Sequence, residues 1–202
     1  MVGPAEAVDT RAARLMTWVA LILVLVTDAA YVLLIRRQGA IAPDAYTVPF
    51  VVAYLLLLAG LLLASLMGLP RAAWRMPMRA GATGGLLILG VLAIFSIGLP
   101  LLIAGALATG ATVRTLRGPQ VTRASVSAIA AAVVAVVVLV TGFEITQRVI
   151  VCPATGSSGG GGNGFVTGPY YYDCVNGQLS YHSGSCSSSS TDSSGHVTHP
   201  GC

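Results

Sequence analysis

The chain has 202 residues, of which 55% are hydrophobic and only 9% charged, with a formal net charge of +4. Ordinary soluble domains carry roughly 25% charged residues, so this composition excludes a globule covered by water on all sides. All eleven basic residues are Arg, gathered in small groups at the ends of apolar blocks; that placement fits membrane flanks and speaks against a continuous nucleic-acid face.

In chain order, a short N-terminal segment, 1–14, carries Arg11 and Arg14 and leads into the first apolar run, Leu15 to Ile35, which holds a single charge, Asp28, and is followed by Arg36 and Arg37. A cleaved signal peptide is the rival for this run, since Ala40-Ile41-Ala42 resembles a small-residue cleavage site. An h-region is normally about 7 to 15 residues, so the run reads as a retained span. A second uncharged run covers 48–69, and in it Gly60, Ala64 and Gly68 recur every fourth residue. That spacing puts three small side chains on one helix face, where another helix approaches closely.

From Ala80 to Val113 there is no charge. One straight helix of that length would extend about 51 Å, against a hydrocarbon core of about 30 Å. Ser96-Ile97-Gly98-Leu99-Pro100 stands at its middle, and Gly followed closely by Pro is a break signal. The expected parse is two helices, 80–97 and 100–113, forming either two crossings or a re-entrant hairpin. The last span is predicted over 124–147, Ala- and Val-rich, with Glu144 and Arg148 one helical turn apart at its far end. The helical domain thus extends over 15–151, and the bundle holds four to five transmembrane segments.

Counting Arg decides orientation, because cytoplasmic loops are enriched in basic residues. If 80–113 turns back on itself, eight Arg fall on the side of the N-terminus and only Arg36, Arg37 and Arg148 on the other. A single crossing there gives six against five, no preference. The first parse makes residues 1–14 cytoplasmic and sends the tail, 152–202, outside.

That tail has no Lys or Arg, is rich in Gly and Ser, and carries Cys152, Cys174, Cys186 and Cys202. An even number of cysteines outside the cytoplasm suits two disulfides, with three pairings possible. The most economical pairing ties Cys152, at the membrane exit, to a later cysteine. No Cys-x-x-Cys is present, which argues against a thiol oxidoreductase. His182, His196 and His199 raise a zinc site, but the tight paired spacings of structural zinc are missing. The run Tyr170-Tyr171-Tyr172, the pair Asn176-Gly177 and the return Gln178 to His182 predict a β-hairpin, Asn-Gly being a favoured two-residue turn. Such a short tail needs disulfides, or docking on the membrane domain, for its order.

Within the spans, Asp28 is the candidate for chemistry, since an ionisable group at membrane depth is costly. It is expected to join a structural polar cluster with Arg148, for which Glu144 competes at i, i+4 spacing, to bind a proton or ion, or to lie hydrated near the interface. No phosphate loop, nucleophile motif, metal-hydrolase helix or internal repeat is present, and no cofactor or metal is expected. The reading is an all-α polytopic protein of the cell membrane, non-enzymatic, its disulfide-bearing, loop-rich tail interacting, sensing or assembling in the cell envelope. Its expected partners are the lipid bilayer and another membrane or envelope protein, not nucleic acid. The alternative is a small transporter or ion-pathway subunit using Asp28. The absence of Lys beside abundant Ala, Gly and Val points to GC-rich bacterial coding.

Overall fold

A computed structural model of the protein describes residues 4–38, 46–67, 72–115, 121–184, 190–191 and 197–198. Five helices come first: α1 (Pro4–Gln38), α2 (Thr47–Leu66), α3 (Ala72–Leu92), α4 (Gly98–Thr115) and α5 (Val121–Arg148). Five strands follow, β1 (Ser157–Gly164), β2 (Gly168–Val175), β3 (Gln178–Ser183), β4 (Ser190–Thr191) and β5 (Val197–Thr198). Two units divide the chain: Met1–Ala40 with Val51–Leu139, and Ile41–Phe50 with Val140–Cys202.

Among the described residues three helices are long and apolar enough to cross a membrane, over Arg11–Arg37, Thr47–Leu66 and Val126–Arg148. Met76–Leu92 and Gly98–Arg114 are shorter apolar helices. Uncharged Leu, Val and Ala runs become helices in hydrocarbon because a helix satisfies its own backbone polar groups. Side chains such as Ile129, Val133, Val134 and Val137 of α5 point outward and are exposed. Such an apolar exterior is suited to lipid, not water.

The long uncharged block does break, but earlier than the Gly-Pro signal suggests. The turn occupies 93–97, and the Ala93 carbonyl accepts from the Ser96 amide at 2.9 Å and the Gly98 amide at 2.8 Å. Gly98 then opens α4 and Pro100 is its third residue, in the first turn, where a missing N–H costs nothing. A Cβ on Gly98 would stand 2.6 Å from the Ala93 carbonyl oxygen, so the turn requires Gly. Helix α3 also starts earlier than expected, with Pro77 in its second turn.

Glycines let the helices approach. A Cβ on Gly90 would stand 2.9 Å from Leu102 Cγ, and one on Gly105 2.8 Å from Leu87 Cδ2, so α3 and α4 interlock as an antiparallel hairpin. Gly81 lies against Ala131 and Gly84 against Ala132, which runs α3 and α5 in the same sense. Tyr54 of α2 reaches over Gly85 and donates its hydroxyl to the Ala135 carbonyl of α5 at 2.9 Å.

The expected packing face of α2 is different. A Cβ on Gly60 would meet open space, and the buried face is instead Val51, Tyr54, Leu55, Leu58, Ala59, Leu62 and Ser65. Bulky Leu on α2 meets small residues on α3, so the close approach is provided by α3 and not by the Gly60–Ala64 stripe. Ala64 is half-buried, and Gly68 lies outside the described residues. Helix α1 buries Ala13, Thr17, Ala20, Leu21, Val24, Thr27 and Asp28, a stripe of helical period. It packs along α4, which buries Leu101, Ala104, Ala108, Ala111 and Thr112. The hydroxyls of Thr17, Thr27 and Thr112 donate to carbonyls four residues back, each at 2.8 Å, so they add no unmet polar group to the seam.

The second unit is a three-stranded antiparallel sheet of order β1-β2-β3 carried by the last turns of α5, with the small pair β4-β5 beyond it. The predicted hairpin is β2-β3, turning through Asn176 at φ 50° and Gly177 at φ 81°. Two positive φ angles are what a type I′ turn demands. The third strand, β1, was not expected, because its sequence is Ser-Ser-Gly-Gly-Gly-Gly-Asn-Gly. Its register puts Gly160 opposite Tyr172 and Gly162 opposite Tyr170. A Cβ at either position would stand 2.9 Å from the facing ring carbon Cζ. The strand is the flat bed on which two tyrosine rings lie. Tyr170, Tyr172 and Cys174 form a small buried core, covered by Ile150 and Cys152.

Candidate functional site

The end of α5 is where chain chemistry concentrates. Gly142 lets the Phe50 ring lie against the helix, and Phe50 meets Phe143 edge-to-face with centroids 5.5 Å apart. One residue on, Glu144 turns its carboxylate to the β1-β2 turn. Oε1 accepts the Val166 amide at 2.6 Å and Oε2 accepts the Thr167 hydroxyl at 2.9 Å. Gly164 is needed for this contact, since a Cβ there would stand 3.0 Å from both carboxylate oxygens. The sequence offered Arg148 to Asp28, with Glu144 competing for it at helical i, i+4 spacing; the hydrogen bonds of Glu144 go to a turn more than twenty residues away, and the Arg148 charge acts on the same carboxylate.

Four residues beyond Glu144, the chain leaves the helix and Cys152 pairs with Cys174 of β2, their Cα atoms 5.4 Å apart. The sulfur of Cys174 lies in the small core, the residue being 1% exposed. Cys186, Cys202, His196 and His199 lie outside the described residues, as do Ala40 to Ala42. Among the described residues no group of three or more His, Cys, Asp or Glu gathers for a metal ion.

A groove of about 590 Å³ opens beside Arg148, lined also by Thr167, Tyr170, Leu179, Tyr181 and Ser183. Tyr170 and Tyr181 stack along it, with centroids 5.5 Å apart and planes at 16°. A guanidinium, hydroxyls and aromatic faces suit an anionic group attached to a flat or apolar body. No family model, curated protein or solved structure matches the chain. The groove and the helix end therefore have to be read from their own chemistry.

The opposite face of the sheet carries Tyr171 stacked on His182 at 4.7 Å, and Ser180 Oγ lies 2.9 Å from His182 Nε2. Here β3 is exposed along its whole length, so the pair reads as surface chemistry of a hairpin.

Asp28 belongs to the helical unit, and Glu144 and Arg148 to the second. Asp28 is 7% exposed, and its Oδ1 has no hydrogen-bond partner among the described residues. An orphaned carboxylate oxygen at such burial is costly unless a proton or cation joins it.

Proposed function

We propose that this chain is a multi-pass protein of the cell membrane that carries a small, disulfide-closed binding module outside the cytoplasm, and that it is not an enzyme. The observation carrying this reading is the covalently closed sheet, joined directly to the end of α5, with a cationic aromatic groove at the joint. Orientation is argued from two independent features. Eight of eleven Arg fall on one side if α3 and α4 are two antiparallel passes. A disulfide also persists in an oxidising compartment rather than the cytosol. The module's partner is a component of the envelope bearing an anionic group. A photo-crosslinking residue at Ser183, on the groove wall, tests it in native membranes. An adduct that disappears in Arg148→Gln supports the reading; an adduct indifferent to that change, or none, refutes the groove as the binding place.

A second reading is favoured by one observation, the orphaned Oδ1 of buried Asp28. In a small transporter or ion-pathway subunit this carboxylate would take up and release a proton or cation between α1 and its neighbours. Proton flux into proteoliposomes that is abolished by Asp28→Asn would support this reading, and flux unchanged by that substitution would remove it.

A further inference from the structure

Where Glu144 stands along α5 sets the depth of the turn it holds. The uncharged run 124–143 is twenty residues long and closes at Arg123 on one side and Glu144 on the other. As helix it extends about 30 Å, the thickness of a hydrocarbon core. Glu144 therefore stands at the outer edge of the hydrocarbon, and Arg148, about 6 Å further out, stands among the headgroups. Because both Glu144 oxygens accept from the β1-β2 turn, that turn is drawn back to the depth of residue 144.

The side chains at the tip of the turn are wrong for water. Turn tips are ordinarily Gly, Asn, Asp, Ser or Pro. Here Gly164 and Gly168 flank the turn, and the tip itself is Phe165, 56% exposed, and Val166, 79% exposed. Two exposed apolar side chains thus stand on the turn that Glu144 holds. The carboxylate beside them has its acceptors filled by an amide and a hydroxyl, which lowers the cost of standing at the edge of the hydrocarbon.

We propose that Phe165 and Val166 insert into the outer headgroup-acyl boundary beside α5, so that the tail lies on the bilayer and does not hang free of it. The occupant of this surface is the lipid of the same membrane, contiguous with the lipid around α5. The inference rests on the reading that α5 spans the bilayer.

The test uses the full chain in nanodiscs, with Trp18 and Trp74 replaced by Phe and one tryptophan returned at a time. Reporters stand at Val166→Trp, at Val134→Trp in the middle of α5, and at Ser180→Trp on exposed β3. Each is quenched by lipid brominated near the glycerol end of its acyl chains and by aqueous acrylamide. The expected result is strong bromolipid quenching at 134 and 166, with acrylamide quenching at 166 several-fold below that at 180. Acrylamide quenching at 166 equal to that at 180, while 134 still responds to bromolipid, overturns the membrane-inserted turn and leaves the spanning helix standing. Acrylamide quenching at 134 without bromolipid quenching overturns the spanning reading, and the inserted turn with it. Phe165→Trp, aromatic for aromatic, repeats the measurement at the neighbouring position and must agree with 166.

Discussion

Removing the bridge between Cys152 and Cys174 should uncouple the order of the tail from that of the helices. The two cysteines are 22 residues apart in sequence. Loop-closure entropy for a loop of that size corresponds to about 3 kcal/mol at 25 °C, gained by restricting the unfolded tail. At 1.4 kcal/mol per tenfold, this is a change of about two orders of magnitude in the opening equilibrium of the sheet. The double variant Cys152→Ala, Cys174→Ala avoids disturbing the other two cysteines. Amide hydrogen exchange on the full chain in detergent reads opening region by region. Amides of β1, β2 and β3 should exchange about a hundredfold faster, while those of α2, α3 and α4 keep their protection. Unchanged protection in the sheet would refute the argument, because it would show strand pairing and the tyrosine core holding the tail alone. Loss of protection in the helices would refute the separation of the two units.

Gly162→Val puts a branched side chain where the Tyr170 ring lies, and overpacking of this kind costs about 1 to 3 kcal/mol; exchange of the β1 and β2 amides should accelerate, and unchanged exchange would show that the ring does not rest on Gly162. Glu144→Ala removes both acceptors of the β1-β2 turn, so the Val166 amide should lose protection and protease cutting between Phe165 and Gly168 should quicken; an unchanged rate would mean that the turn is held by other contacts. Asp28→Asn removes a carboxylate whose Oδ1 is orphaned, so the detergent melting temperature should stay level or rise, and a large fall would reveal a charged partner. Single cysteines at Ala72 and Thr115, in a background with the four native cysteines replaced, should both be shielded from impermeant maleimide in intact cells; labelling of only one would break the hairpin topology.

The helices were legible because they rest on long, one-sided composition. Blocks without charge and the Gly98-Pro100 signal announce helix and interruption in residue types alone, and the exact turn slipped upstream only because Pro is at home in a helix's first turn. The β2-β3 hairpin was legible for a similar reason, Asn176-Gly177 being a local instruction. The glycine strand was not, since Gly has no strand preference of its own and owes its conformation to rings on the neighbouring strand. The candidate site was half visible. Arg148 and Glu144 stood out by charge, with Arg148 offered to Asp28 and Glu144 competing for it at helical spacing, but nothing local links Glu144 to Val166 and Thr167. The helix-packing stripe through Gly60 misled because small residues indicate where a close approach is permitted, not where a partner lies.

The glycine strand has a further consequence. Gly159 to Gly162 present four nearly identical steps to β2, so nothing within that stretch distinguishes the observed alignment from one shifted along the strand. What prevents sliding must act at the two ends. The carboxylate of Glu144 grips the turn after Gly164, and the sulfur bridge grips β2 at Cys174, across from Ser158. The two act as end stops on a rail that has no teeth. Cutting either one should leave a tail that still forms a sheet but samples several alignments, its tyrosine rings finding one glycine as good a bed as the next.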